Sequence, residues 1–189
     1  GQLQTNVIGG VAPIGLCGSA LVDITAELLR CGLLESTGRL GKGDDVGNVC
    51  EDLRRRIRTD RAGDVEFLLA AGEEGRPDVV IKQRDIRELQ LATGALRAGV
   101  HILLKQAGLK PADLSHVLIA GGFGSFIRRS NAQRIGLIPP EVPHDRISYV
   151  GNVSLHGAKW VLVSAAARQK ADLLAKKTRH IDLSADMDF

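Results

Sequence analysis

Short apolar runs and apolar residues that recur at helical spacing follow one another along this chain, and the switches between them mark the elements. Residues 4–8 read as a short strand that ends at Gly9-Gly10. Residues 13–19 make a glycine-bearing turn. Ala20, Leu21, Ile24, Leu28 and Cys31 then recur at helical spacing, which predicts a helix over about 19–34 with Gly32 as a stop signal. Residues 35–63 hold glycines, charges and the basic run Arg54-Arg55-Arg56-Ile57-Arg58, and are expected to form a long surface excursion. Residues 65–71 predict a strand, 72–77 a turn, and Val79-Val80-Ile81 the antiparallel partner of that strand.

A long helix is predicted over about 84–107, with Ile86, Leu89, Thr93, Leu96, Val100 and Leu103 as its buried stripe. Asp85 and Glu88 suit its positive N-terminal end, and Gly108 and Pro111 close it. Residues 116–120 read as a buried strand that runs straight into Gly121-Gly122-Phe123-Gly124-Ser125. A short helix over 131–135, a rigid loop carrying Pro139, Pro140 and Pro143, and a strand over 147–150 that ends at Gly151-Asn152 follow. The last helix is expected over about 153–177 and a final edge strand over 179–183. Strands that alternate with helices in this way predict an α/β fold, with helices packed on a mixed sheet.

With 189 residues, the chain suits one domain or one lobe of a larger one. Hydrophobic residues make up 44%, enough for a core, but aromatics make up only 3%, so that core must come from Leu, Ile, Val and Ala. A formal charge of +3, with few aromatics to stack on bases, argues against nucleic acid as a partner. The longest apolar run, residues 153–167, is interrupted by His156 and Lys159 and falls short of the roughly 20 residues a membrane span needs. Cys17, Cys31 and Cys50 are widely spaced and suit neither a disulfide framework nor a metal site; a reducing, cytoplasmic compartment is the simpler expectation. The chain does not open on Met and its only Met is Met187, so we expect a piece of a longer protein.

Three places are candidates for chemistry. At 119–125 a strand ends in glycines, which allow backbone to approach a ligand closely and tolerate positive φ. Ligands of α/β sheets sit at the carboxyl ends of strands; a tight turn with no ligand is the alternative. Gly151-Asn152 repeats the pattern, with Asn152 serving either a ligand or simply as a helix cap. Gly15-Leu16-Cys17-Gly18-Ser19 opens a helix, where free N–H groups bind anions, but Cys17 shares the apolar stripe and reads more readily as a buried structural thiol. Arg128 and Arg129 follow the glycine loop closely enough to reach a phosphate or a base. His156 and Trp160 read as core, Arg54 to Arg58 as a solvated loop, and His101 and His116 stand alone.

Four stretches taken together carry a resemblance. Ile14-Gly15-Leu16-Cys17-Gly18-Ser19-Ala20-Leu21-Val22-Asp23 is similar to an I-C-G-S-G-L-I-D motif, and Asp85-Ile86-Arg87-Glu88-Leu89-Gln90-Leu91-Ala92 to a D-I-R-E-L-Q-L-A helix. Ala120-Gly121-Gly122-Phe123-Gly124 with Ile135-Gly136-Leu137-Ile138-Pro139 is similar to A-G-G-F-G followed by I-G-L-L-P. Gly151-Asn152 with Gly157-Ala158 matches a G-N-x-x-x-x-G-A pattern, and Asp188-Phe189 at the end also fits. In this order they resemble the reductive activators of corrinoid proteins, over nearly the whole chain apart from about residues 36–63. The pattern departs at Ala20, where the family has Gly, and at Arg128-Arg129, where it more often has an acidic or neutral pair.

The resemblance implies the actin, sugar-kinase and heat-shock-chaperone (ASKHA) superfamily, with residues 1–189 as a single C-terminal nucleotide-binding lobe. It implies that Gly121, Gly122, Phe123, Gly124 and Ser125, with Asn152, cradle the adenosine of ATP or ADP. Gln90, Thr93 and Arg97 on the preceding helix would lend side chains to base and ribose. No Asp-x-Gly-Thr hairpin and no G-x-x-x-x-G-K-[ST] is present, so phosphate and Mg contacts would come from an upstream part, as would a 2Fe-2S cluster in an N-terminal ferredoxin-like domain. The implied whole-protein reaction is ATP-driven reduction of cob(II)amide to cob(I)amide. The implied partners are a corrinoid protein, the rest of the same chain and a possible second copy. A non-catalytic docking module for a corrinoid protein and a lobe of a small-molecule kinase are the rival readings; ADP binding separates the first of these from the nucleotide lobe.

Overall fold

The computed structural model describes residues 2–42, 46–47, 49–73, 75–122 and 127–187. Its elements form two hydrophobic cores, with the Gly18–Arg30 helix of the first packed against the Arg129–Arg134 helix of the second. Helix α1 (Gly18–Arg30) buries Val22, Thr25, Ala26 and Leu28, and Gly32 at φ +73° turns the chain back so that Leu33 and Leu34 both donate to the Leu28 carbonyl. A short helix α2 (Glu51–Arg54) leads into an antiparallel sheet of β1 (Ile57–Thr59), β2 (Val65–Ala70) and β3 (Val79–Lys82), in that order. Phe67 stands opposite both Ile57 and Ile81 in this ladder. Together with Leu28, Leu33, Leu34, Leu40, Val46 and Ile86 it makes the first core.

Helix α3 (Gln83–Ala107) leaves β3 directly. The Asp85 carboxylate accepts from the Lys82 backbone N–H at 2.8 Å, satisfying a donor at the helix start, and Gly108 at φ +68° ends it. The second core lies under two parallel strands, β4 (Val117–Ala120) and β5 (Ile147–Gly151), joined through helix α4 (Arg129–Arg134). Ala132, Ile138, Val142 and Ile147 are its buried centre. Helices α5 (Val153–Val163) and α6 (Ala165–Lys177) close the chain. Among the described residues no helix is long and apolar enough to cross a membrane.

The α/β alternation holds, with the strands divided between one antiparallel and one parallel sheet. Several local expectations need correction. Residues 4–8 and 179–183 are not strands: the first lead into a 3-10 turn at Ile8–Gly10, and the second into another at Leu183–Ala185. An extended segment becomes a strand only where a neighbouring edge accepts its hydrogen bonds. The 35–63 stretch is not all surface: Leu40 and Val46 fill the first core, and Ile57–Thr59 is a sheet strand. The predicted terminal helix breaks at Ser164, whose backbone is extended and whose hydroxyl caps Ala167 at 3.2 Å. The α3 stripe holds at Ile86 and Thr93, but Leu96 and Leu103 are exposed while Gly99 and Ile102 are buried. The 116–120 strand is not buried throughout, since Leu118 is 61% exposed. Trp160 and His156 are exposed, not core.

Candidate functional site

Both parallel strands end on a glycine in the left-handed half of backbone space, Gly121 at φ +106° and Gly151 at φ +68°. The Gly121 N–H donates to the Gly151 carbonyl at 2.8 Å, so the two strand ends are tied together where any other residue would be strained. A Cβ at Gly121, Gly122 or Gly151 would meet nothing within 4 Å, which leaves bare backbone facing open space. Asn152 sits one residue beyond, and its Oδ1 accepts from Leu155 N–H at 3.1 Å as the cap of α5. Phe123, Gly124 and Ser125 lie outside the described residues.

The chain past that loop is anchored to β5. Tyr149 donates its hydroxyl hydrogen bond to the Ile127 carbonyl, and the Arg129 guanidinium stands over the Tyr149 ring at 5.7 Å. Burial pushes the Tyr149 pKa up. Arg129 is therefore held by an aromatic face.

Gln90, Thr93 and Arg97 meet in one cleft of about 610 Å³ between α1, α3 and the turn after α4. Gln90 Nε2 donates to the Thr37 carbonyl at 3.2 Å. Arg97 lies over Gly136, where a Cβ would come 3.0 Å from its Nη1. Thr93, 7% exposed, lines this cleft with a hydroxyl that has no hydrogen-bond partner, and so does Thr25 from α1, 4% exposed. Two orphaned buried hydroxyls in one cleft are what a polar ligand would satisfy. Gly121, Gly122 and Asn152 do not line it. The predicted set thus divides between two places: the three α3 residues come together, and the strand-end residues stand elsewhere. Thr25, Gln133 and Gly136 were missed from sequence. Thr25 carried a signal, a hydroxyl set in the apolar stripe of α1 beside Val22 and Ala26.

The start of α1 differs from its sequence reading. Cys17 is exposed, its Sγ 3.3 Å from Ser19 Oγ. The Ser19 hydroxyl, then the Ala20 backbone N–H, hold the thiol pKa below its ordinary value. Asp78, Asp85 and Glu88 share the walls of the small cleft at this helix end and oppose an anion there. The basic run is not free either. Arg54 donates to the Val46 and Gly47 carbonyls and Arg56 to those of Leu68 and Leu69, while Arg58 pairs with Glu66 and Asp78. Among the described residues no three His, Cys, Asp or Glu side chains stand together as a metal site.

These features define an α/β fold in which two parallel strands end on glycines and a separate cleft with two unpaired hydroxyls lies beside the helix that precedes them. The model of the C-terminal domain of RACo, the ASKHA domain, matches residues 1–189. Corrinoid activation enzyme RamQ of Eubacterium limosum is 36% identical over 192 positions, covering 100% of this chain and 32% of that protein. The [Co(II) methylated amine-specific corrinoid protein] reductase of Methanosarcina barkeri is 24% identical over 168 positions, covering 89% of this chain and 26% of that one. Among solved structures, a reductive activator for corrinoid, iron-sulfur protein superposes with a TM-score of 0.82 at 34% identity, over 96% of this chain and 28% of its own. The chain belongs to the family of RACo C-terminal ASKHA domains. It spans between a quarter and a third of the length of the curated relatives it matches.

Proposed function

We propose that this chain is the nucleotide-holding lobe of an ATP-dependent protein that reduces the cobalt of a corrinoid protein from cob(II)amide to cob(I)amide. The observation that carries it is the tied pair of strand-end glycines, Gly121 and Gly151, with bare backbone beside open space. Gly121 and Gly122 offer close backbone approach to an adenosine, and Asn152 stands beside them. The cleft beside α3 is a separate polar place, where Thr93 and Thr25 offer unpaired hydroxyls and Gln90 and Arg97 offer amide and guanidinium groups to a polar ligand. Binding or hydrolysis of ATP with Mg would supply the free energy for the uphill electron transfer, and a 2Fe-2S cluster would supply the electron. In this reading the cluster, phosphate and Mg contacts come from the remainder of the protein. The relatives, which act on corrinoid proteins by name, support the partner. The three free cysteines support a reducing, cytoplasmic setting.

The test is ADP binding by calorimetry to the protein that carries this lobe, alongside its Gly122→Val variant. Nothing lies within 4 Å of the new Cβ, so the variant folds and is expected to lose at least about tenfold in affinity, or 1.4 kcal/mol. A folded variant with unchanged affinity overturns the assignment of the strand ends. A wild-type protein that binds its corrinoid partner but no ADP leaves the docking-module reading in its place.

A further inference from the structure

The cleft between α1, α3 and the turn after α4 combines a buried polar floor with apolar walls and a positive opening. Its floor holds the Thr25 and Thr93 hydroxyls, on residues 4% and 7% exposed, and neither has a hydrogen-bond partner. An orphaned buried hydroxyl costs stability unless something supplies its partner. Leu29, Ile86 and Leu89 line the walls with carbon. Arg97 and Arg134 line the cleft from exposed positions, and among the described residues neither pairs with a carboxylate. Glu35, the carboxylate in the lining, is already engaged: Arg39 Nε donates to it at 2.9 Å and the Thr37 hydroxyl at 3.2 Å. The volume of about 610 Å³ falls within the range of small-molecule sites.

We propose that this cleft is a second ligand site, distinct from the strand-end glycines, and that it takes a small aliphatic hydroxy-carboxylate. Two guanidiniums without partners, set against one carboxylate that has them, select an anion. A planar guanidinium matches the two oxygens of a carboxylate. The floor selects a ligand that carries a hydroxyl of its own. Such a group donates to one threonine and accepts from the other, whereas a bare hydrocarbon end leaves both orphaned. The aliphatic carbons between the two polar ends lie against Leu29, Ile86 and Leu89. Gly121, Gly122 and Asn152 lie outside the cleft, so the inference does not depend on nucleotide binding.

Titrations followed by NMR on the intact protein, with and without ADP, test this with 6-hydroxyhexanoate, hexanoate, 1,6-hexanediol and inorganic phosphate as probes. 6-Hydroxyhexanoate is expected to bind roughly two- to tenfold tighter than hexanoate, and at least about tenfold tighter than the diol, which lacks the charge. Thr93→Val is expected to erase the preference over hexanoate and Thr93→Ser to keep it. Arg97→Gln is expected to shrink the preference over the diol. Without ligand, Thr93→Val should leave Tm unchanged or raise it, because the hydroxyl it removes is unpaired. A lowered Tm overturns the proposal, since another part of the same protein then already bonds that hydroxyl. Equal affinity for 6-hydroxyhexanoate and hexanoate, or binding of neither, also overturns it. Phosphate that binds as tightly and displaces 6-hydroxyhexanoate overturns it in favour of a simple anion site. Displacement by ADP overturns it in favour of an extended nucleotide site.

Discussion

Asn131 Nδ2 donates to Asp23 Oδ1 at 2.7 Å across 108 residues of sequence, tying α4 to α1. Asn131 is 2% exposed. The bond sets the α4 side of the glycine loop against the helix that supplies Thr25. Asn131→Ala is expected to cost about 1.5–3 kcal/mol, since the acceptor is a carboxylate, and thermal unfolding measures it. Asn131→Asp sets two carboxylates against each other, so its larger loss at neutral pH should shrink as the solution is acidified. Equal loss at both pH values would mean packing, not charge, decides this contact.

Gly121 and Gly151 both require positive φ. Gly151→Ala is expected to cost about 1–2 kcal/mol through backbone strain alone, read as a drop of roughly 2–4 °C in Tm per kcal/mol for a domain of this size. Its Cβ meets nothing, so no steric cost is added. An unchanged Tm would show that the strand end relaxes to another conformation.

The Cys17 thiol is exposed and lowered in pKa chiefly by the Ser19 hydroxyl. A lowered pKa means more thiolate near neutral pH, hence faster alkylation. Ser19→Ala is expected to slow iodoacetamide labelling of Cys17, followed by mass spectrometry, and to leave Cys31 unaffected. If the Cys17 rate does not fall, the helix end and not the hydroxyl sets its reactivity.

The Lys82 ammonium, 2.8 Å away, holds the Asp60 carboxyl below its ordinary range, helped by the backbone N–H groups of Asp64 and Ala62. Lys82 is pushed up in turn, chiefly by Asp60. A depressed folded carboxyl stabilises fully above the ordinary Asp pKa of about 3.9 and loses that contribution as pH falls through the folded value. The raised ammonium stabilises fully below the ordinary Lys pKa of about 10.4 and loses it as pH rises through its folded value. Between those limits the pair contributes no slope. Asp60→Asn should therefore flatten the acid limb of a urea-midpoint against pH curve; an unchanged acid limb assigns it to other groups, such as Asp78, which the Gly72 N–H and then Arg58 depress.

Local pattern alone determined a good part of this protein. The short apolar runs of Val65–Ala70 and Val79–Lys82, the helical stripe through Ile86 and Thr93, and the glycines at the ends of β4 and β5 were all legible, because each depends on residues close in sequence. Four ordered motifs carried the family for the same reason. Tertiary structure decided what depends on distant partners. It drew Leu40 and Val46 into a core, locked Arg54 and Arg56 onto carbonyls of their own chain, and broke the last helix at a serine cap. It also set Thr25 beside Thr93 in a cleft apart from Gly121. Burial and hydrogen-bond satisfaction are properties of what a residue meets, and periodicity records only which way it faces.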